Sequence, residues 1–439
     1  MKIVDGIYFF ESGDNTYLRN VNNAQDYLFN SIVFDILTIV KNNPGCELEF
    51  LCQELIQIYD AEDKVDFYND IAFFVEELSE NGILYINEET EKNGESIAEI
   101  ISMQRGRTQK LYSAALELTY RCNEKCIHCY VDDAPINSQN ELTFNEYKMI
   151  LHQLKELGCI YLLLTGGEVC LNKDFIDIAR YATSLGFLVD VYTNGIAMTD
   201  EQFEALCAMK VNSVSFSLYA GNAAAHDAIT KVPGSFDKTL KRAMMFKCAG
   251  VDTYIKSVAI KQNIEYLEEL YKLGKRIGIK ICVGIVINGT HNGCGANKFR
   301  LETQEQRRKV LQLAQKYDSN TGTLSERDTN EPVCSAGFDS LSIDPYGGVH
   351  PCLAFFEPVD SIRNNSLNYI WNNADLFKEL RALRFEDLGE KCKKCMYLKK
   401  CTVCIGSAYE EFGTIRPNAN ACEWTELKNK FESCKFYCK

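Results

Sequence analysis

The stretch 116-LELTYRCNEKCIHCY-130 decides how the chain is read. A short apolar run with strand character delivers Cys122, Cys126 and Cys129 onto one loop at C-x3-C-x2-C spacing. Three thiolates on a single loop can hold three irons of a cubane and leave the fourth iron open. A structural zinc site needs a fourth protein ligand close by, and its usual C-x2-C pairs are spaced differently.

Composition sets the outer limits. A chain of 439 residues with 46% hydrophobic content can build two or three globular domains, each with its own core. There is no uncharged apolar run of bilayer length, and the start MKIVDGIYFFESGDN lacks a basic end, an apolar middle and a cleavage site. A soluble, cytoplasmic protein without a membrane partner is expected. Clustered cysteines among the 20 in a chain without an export signal read as metal ligands, not as a disulfide framework. A net charge of -14 disfavours a phosphate-binding surface, so a peptide or small molecule is expected and nucleic acid is not.

Residues 1–90 read as a separate α+β unit. Alternation over Ile3–Phe10, a turn at Ser12–Asn15 and a strand Thr16–Val21 predict a hairpin. Helical spacing predicts helices over Asn23–Lys41, Glu47–Ile58 and Asp63–Glu80, and Gly82–Ile86 predicts a closing strand. This winged-helix-like order resembles the PqqD-like precursor-recognition domain of peptide-modifying enzymes, which implies that a leader peptide adds as a strand to the sheet edge. The acidic, polar run 87–95 opens a linker that continues over residues 91–111.

Residues 112–300 alternate strand-like and amphipathic helical runs, the pattern of a parallel sheet. The strands are expected at Tyr112–Leu118, Tyr161–Leu164, Leu188–Tyr192, Ser213–Leu218, Tyr254–Ile260 and Ile279–Ile287. With the triple cysteine, these six units resemble the radical S-adenosylmethionine (radical SAM) family, which implies an α/β fold with a partial (βα)6 TIM-like barrel. Ligands of such sheets sit at the carboxyl ends of the strands. After the second strand, Gly166-Gly167-Glu168 is similar to the family's GGE motif, implying that backbone and acid hold the methionine amino group of SAM. By the same resemblance Asn194 lies near the nucleoside, Ser217 bonds the ribose or the carboxylate, Lys256 meets the carboxylate, Val286 packs on adenine, and Tyr130 offers backbone contacts to adenine. The family's reduced cluster cleaves SAM to a 5′-deoxyadenosyl radical that removes an unactivated hydrogen atom.

In residues 301–439, Cys334, Gly347 and Cys352 are followed by Cys392-x2-Cys395-x5-Cys401-x2-Cys404 and then Cys422. The series resembles the SPASM extension, which implies two auxiliary [4Fe-4S] clusters and three in all. Cys334, Cys352 and Cys404 correspond to ligands of the first, and Cys392, Cys395, Cys401 and Cys422 to those of the second. The family usually spaces the last pair of the central run by three residues, not two. No cysteine shortly precedes Cys334, so either Cys294 completes the first cluster or one iron stays open. Zinc is the competing occupant. Cys159, Cys170, Cys207, Cys248 and Cys282 read as small core residues; Cys434 and Cys438 are ligands or a frayed end.

Together the resemblances imply an enzyme that crosslinks a ribosomally made precursor peptide bound through its leader, fed by a flavodoxin- or ferredoxin-type electron donor. A carbon-carbon bond of the lysine-to-tryptophan streptide type is expected. The alternatives are a thioether-forming maturase, a sulfatase-maturing formylglycine-type oxidase and a non-catalytic iron-sulfur carrier. The general base is not legible.

Overall fold

The computed structural model describes residues 1–4, 7–12, 15–20, 25–59, 64–85, 111–131, 134, 136–287, 296–317, 327, 329, 332–401, 403–415, 417 and 419–437. The chain divides into two compact units, Met1–Thr108 and Gln109–Lys439. Residues 91–110 of the expected linker, Ile86, Cys294 and Cys438 lie outside the described residues.

In the first unit, strand β1 (Lys2–Ile3) pairs antiparallel with β5 (Leu84–Tyr85), and β2 (Ile7–Ser12), β3 (Asn15–Asn20) and β4 (Gln25–Asn30) form an antiparallel sheet. Helices α1 (Ser31–Asn42), α2 (Leu48–Tyr59) and α3 (Lys64–Glu80) lie between β4 and β5. Thr16, Leu18 and Asn20 are buried on one side of β3, and Leu18 faces Tyr27 across the β3–β4 pair. The helix expected from Asn23 therefore begins only at Ser31. Tyr27, Leu28 and Ile32 satisfy a helical spacing, but Tyr27 and Phe29 also alternate, stack at 6.0 Å and find cross-strand partners in β3, and pairing wins. Within α1, Val33, Ile36, Leu37 and Val40 form the buried stripe.

The second unit is built on a nine-stranded sheet. Strands β6 (Ser113–Glu117), β7 (Tyr161–Thr165), β8 (Leu188–Thr193), β9 (Ser213–Ser217), β10 (Thr253–Val258) and β11 (Lys280–Gly284) follow one another in chain order, all parallel. This is the expected α/β arrangement, and the six strands agree with the expected ones to within a few residues. Intervening helices include α4 (Phe144–Glu156), α5 (Phe175–Ser184), α6 (Asp200–Met209), α7 (Ala223–Thr230), α8 (Ser235–Cys248) and α9 (Leu267–Ile277), and α10 (Gln304–Tyr317) follows β11. Alternation divides the strands: Ala114 and Leu116, Leu162 and Leu164, Val189 and Val191, Val214 and Phe216 all join the large apolar core. Their sequence neighbours Ala115 and Glu117, Ser215 and Ser217, face the opposite side.

The sheet does not end at β6. Strand β12 (Ser340–Ile343) adds parallel to β6, and β13 (Gly348–His350) and β14 (Asp360–Ser361) continue it antiparallel. The cysteine-rich region is thus covalently and by hydrogen bonds an extension of the barrel sheet. Cys248 corrects the sequence reading: it ends α8 and is exposed, because the last turn of that helix turns it to solvent.

Candidate functional site

The cysteine loop leaves the carboxyl end of β6, and its placement is set by the GGE turn after β7. Gly167 N–H donates to Thr119 O at 2.7 Å and Glu168 N–H to Arg121 O at 2.9 Å, so the turn runs against the backbone entering the cysteine loop. A Cβ on Gly166 would stand 2.4 Å from Thr119 O, and one on Gly167 2.5 Å from Arg121 O. Gly166 also has φ +134. The two glycines are required by this backbone-to-backbone approach.

Glu168 is 1% exposed and its carboxylate accepts three hydrogen bonds within the protein. It accepts from Thr193 Oγ1 at 2.6 Å, from Asn194 N–H at 2.7 Å and from Cys170 N–H at 3.1 Å. Burial raises its pKa against these hydrogen bonds, which lower it. The acid therefore ties the end of β7 to the end of β8. Asn194 carries the tie onward: its amide donates to Asn123 Oδ1 at 2.8 Å and lies 3.8 Å from Cys122 Sγ.

Cys122, Cys126 and Cys129 interact electrostatically with one another. Cys126 Sγ donates to Glu124 Oε2 at 3.3 Å, and Glu124 N–H to Cys122 Sγ at 3.4 Å. Burial pushes the Cys122 thiol up to about 12 and Cys126 higher still. Thiols held so high stay protonated unless a metal replaces the proton, and three soft donors on one loop fit an iron-sulfur cluster. His128 packs edge-on against Tyr219 at 4.6 Å, and burial lowers it to about 4, so it is neutral.

The other expected SAM contacts are spread along the same strand ends. Ser217 closes β9 half-buried beside Tyr219. Lys256 Nζ lies 5.3 Å from the Tyr192 ring centroid. Val286 is 45% exposed and lines a small cleft with Ile285, Ile287, Cys404, Ser407 and Trp424, where the last barrel strand meets the cysteine-rich region. Tyr130 does something the sequence did not indicate: its hydroxyl donates to Glu117 Oε1 at 2.7 Å.

The later cysteines fall into two electrostatic groups. Cys352 interacts with Cys334 and Cys404, all three half-buried and all raised by desolvation. Cys392 interacts with Cys422, Cys401 and Cys395. Among the described residues no three His, Cys, Asp or Glu side chains converge as a single-ion site would require.

Glu117 is the residue that sequence reasoning missed. It is 5% exposed at the end of β6, it also accepts from Tyr120 Oη at 3.2 Å, and its electrostatic neighbours are His350 and Asp344. Burial raises it to about 7. The available signal was a carboxylate inside the apolar run LEL, at a strand end, where an unpaired charge is costly.

Residues 116–274 match the Radical SAM superfamily, and residues 334–396 match SPASM, an iron-sulfur cluster-binding domain. The AdoMet-dependent heme synthase of Methanosarcina barkeri is 28% identical over 334 residues, 68% of this chain and 92% of that protein. Mycofactocin maturase MftC of Mycolicibacterium smegmatis is 28% identical over 307 residues, 65% of this chain and 75% of that protein. Streptococcus suis SuiB, solved bound to its precursor peptide SuiA, superposes with TM-score 0.65 at 18% identity, covering 96% of this chain and 99% of SuiB. At that identity the likeness is one of fold. The chain thus carries a radical SAM domain joined to a SPASM domain, and is a radical SAM enzyme whose cofactors are SAM and iron-sulfur clusters. Among the described residues no helix is long and apolar enough to cross a membrane.

Proposed function

We propose that this enzyme installs an intramolecular crosslink, of carbon-carbon type, in a ribosomally made precursor peptide. The observation that carries the reading is the union in one chain of a radical SAM domain, a SPASM domain and a front unit containing a three-stranded antiparallel sheet. The likeness to SuiB spans 96% of this chain and so takes in that front unit, and SuiB was solved with its precursor peptide.

In this reading residues 1–90 bind the leader as an added strand, 91–111 connect, 112–300 form the barrel and 301–439 the SPASM domain. Cys122, Cys126 and Cys129 would hold the SAM-binding cluster, Cys334, Cys352 and Cys404 a first auxiliary cluster, and Cys392, Cys395, Cys401 and Cys422 a second. When bound, SAM and the reduced cluster supply a radical able to remove an unactivated hydrogen atom. The chain's own part is to orient and to exclude water. The GGE turn and Asn194 fix the cysteine loop, and Tyr130, Gly166, Gly167, Ser217, Lys256 and Val286 border the space for SAM. A bound leader raises the effective concentration of the tethered core peptide at the barrel mouth. A flavodoxin- or ferredoxin-type donor and a cytoplasmic setting complete the reading.

A second reading, AdoMet-dependent heme synthesis, is favoured by the 28% identity that extends over 92% of the M. barkeri protein. It leaves about a third of this chain outside the match.

Mass spectrometry separates the two. The peptide encoded beside this gene is incubated anaerobically with reconstituted enzyme, SAM and reductant, with and without its leader segment. A leader-dependent loss of two hydrogens, with fragments that place the bond between carbons, is expected. A cysteine sulfur-to-carbon bond would replace the bond type and keep the rest. An unchanged peptide with SAM still cleaved would remove the crosslinking reading.

A further inference from the structure

Glu117 is one of several buried acids in the second unit. Glu117 ends β6, on the side of that strand opposite Ala114 and Leu116, which pack in the apolar core. It therefore belongs to the barrel-interior side of the sheet, at the carboxyl end of a strand that lies between β7 and β12. The groups that face it are Tyr130 and Tyr120, each donating a hydroxyl to one carboxylate oxygen, with His350 of β13 and Asp344 after β12 nearby. His350 is turned to Asp344, with Nε2 3.2 Å from Oδ2. Tyr120 is 4% exposed, whereas Tyr130 is only partly buried. Of the two phenols, Tyr130 is the less buried residue and its hydroxyl makes the shorter bond to the acid, 2.7 Å against 3.2 Å.

An acid placed so is costly for the fold. Burying a carboxylate stabilises little that an apolar residue would not stabilise better. Two phenol hydroxyls hold the ionised form, and burial opposes it. The balance leaves Glu117 able to exist in either protonation state near neutral pH.

We propose that Glu117 is the proton acceptor of the crosslinking reaction, reached through the hydroxyl of Tyr130. The proposal rests on the crosslinking reading above. Joining two peptide carbons removes two hydrogens from the peptide. One leaves as a hydrogen atom to the deoxyadenosyl carbon. The second leaves as a proton and an electron when the new bond has formed: the electron passes to a one-electron acceptor of the iron-sulfur class, and the proton passes to Tyr130 Oη as the hydroxyl proton moves to Glu117 Oε1. The carboxylate becomes a neutral carboxylic acid and the phenol is restored, so charge and atoms balance.

The discriminating variant is Glu117→Gln. Its carbonyl oxygen still accepts from Tyr130 and its volume is almost the same, so a strut is kept while a base is lost. Reconstituted full-length enzyme, precursor peptide, SAM and reductant are assayed for crosslinked peptide and 5′-deoxyadenosine from pH 6 to about 9. In the parent enzyme the ratio of crosslink to 5′-deoxyadenosine is expected to fall on acidification through the neutral range, as Glu117 loses the capacity to accept. In Glu117→Gln it is expected to be at least tenfold lower at pH 8 and independent of pH, with Tyr130→Phe behaving alike. Infrared titration of the reconstituted protein supplies a readout free of turnover: a protonated-carboxyl band that grows on acidification through the neutral range and is smaller in Glu117→Gln by the share of one carboxyl, Glu124 keeping its own. Cluster absorbance and peptide binding are followed on the same samples. A Glu117→Gln enzyme that keeps the parent ratio and pH profile overturns the proposal. So does a variant with the parent infrared band. If the parent enzyme cleaves SAM and leaves the peptide unchanged, the crosslinking reading fails instead, and the infrared titration still decides whether Glu117 takes a proton.

Discussion

At Gly167 the function of the site hangs on the absence of one carbon atom. A Cβ there would lie 2.5 Å from Arg121 O and 2.7 Å from Tyr120 O, both main-chain atoms that no rotamer change can move. Gly167→Ala therefore has to push the cysteine loop away from the end of β7. Overpacking of this kind costs about 1 to 3 kcal/mol, which a lowered denaturant midpoint of the cluster-free chain would register. The functional loss is expected to be larger than the stability loss, because displacement of a reacting group by about 1 Å can cost about 100-fold in rate. SAM cleavage falling about 100-fold with a midpoint shift worth no more than about 3 kcal/mol is the expected pair. A variant with parental SAM cleavage would show that the loop accommodates the methyl group.

Helix α4 is, beside the β6–β12 pairing, a second tie between the barrel and the cysteine-rich region, and its first turn carries it. Thr143 caps it and Glu146 closes the capping box, with Glu146 Oε2 accepting from Thr143 N–H at 2.7 Å. The other Glu146 oxygen accepts from Arg363 Nε at 2.7 Å, just beyond β14. Arg363 is the largest cause holding the Glu146 carboxyl down, to about 2 against an ordinary 4.5. A carboxyl depressed in the fold contributes its stability above pH 4.5 and loses it as pH falls toward 2. Arg363→Met is therefore expected to lower the stability of the cluster-free chain by about 0.5 to 1 kcal/mol at pH 7, a partly exposed pair being screened by solvent. The gap should close as pH drops through that window, and a pH-independent gap would point to lost packing of the arginine stem instead. Elements of this kind mark what the sequence could and could not tell. The six parallel strands were legible because each is a short apolar run whose alternate residues, Val189 and Val191 or Val214 and Phe216, enter one core. Strand β4 was misread because Tyr27 and Phe29 fit two periods, and only pairing with β3 decides between them. Strands β12 to β14 went unread because they are two to four residues long and exist through their neighbours. The cysteine motifs were legible as metal ligands from their spacing, their division into clusters only through the family resemblance. Glu117 was not, since its partners Tyr130 and Asp344 lie 13 and more residues along the chain.

At the scale of the whole molecule, the two units carry separate apolar cores. Leu18, Tyr27, Val33, Ile36, Leu37, Leu51 and Leu84 belong to one in the first unit, and the core running through the barrel strands reaches Trp424 in the second. A unit with its own core keeps its fold when its neighbour is removed, provided that the cut falls where no core residue is lost. A chain beginning at Gln109 retains every residue of the second core, every cysteine assigned to a cluster, and Glu117. It is expected to take up iron and to cleave SAM at a rate within about threefold of the parent, since none of the groups that fix the cysteine loop is gone. Crosslinking is expected to behave differently. If the first unit holds the leader, the core peptide loses its tether, and at low micromolar peptide the yield should fall by about 100-fold or more, the loss of effective concentration that a tether supplies. Raising the peptide concentration should then restore the rate, because the barrel itself is unaltered. Restoration by concentration is what separates a lost tether from a damaged site. A shortened chain whose yield stays low at saturating peptide would mean that the first unit shapes the reaction chamber, and one whose yield never fell would mean that the leader is recognised elsewhere.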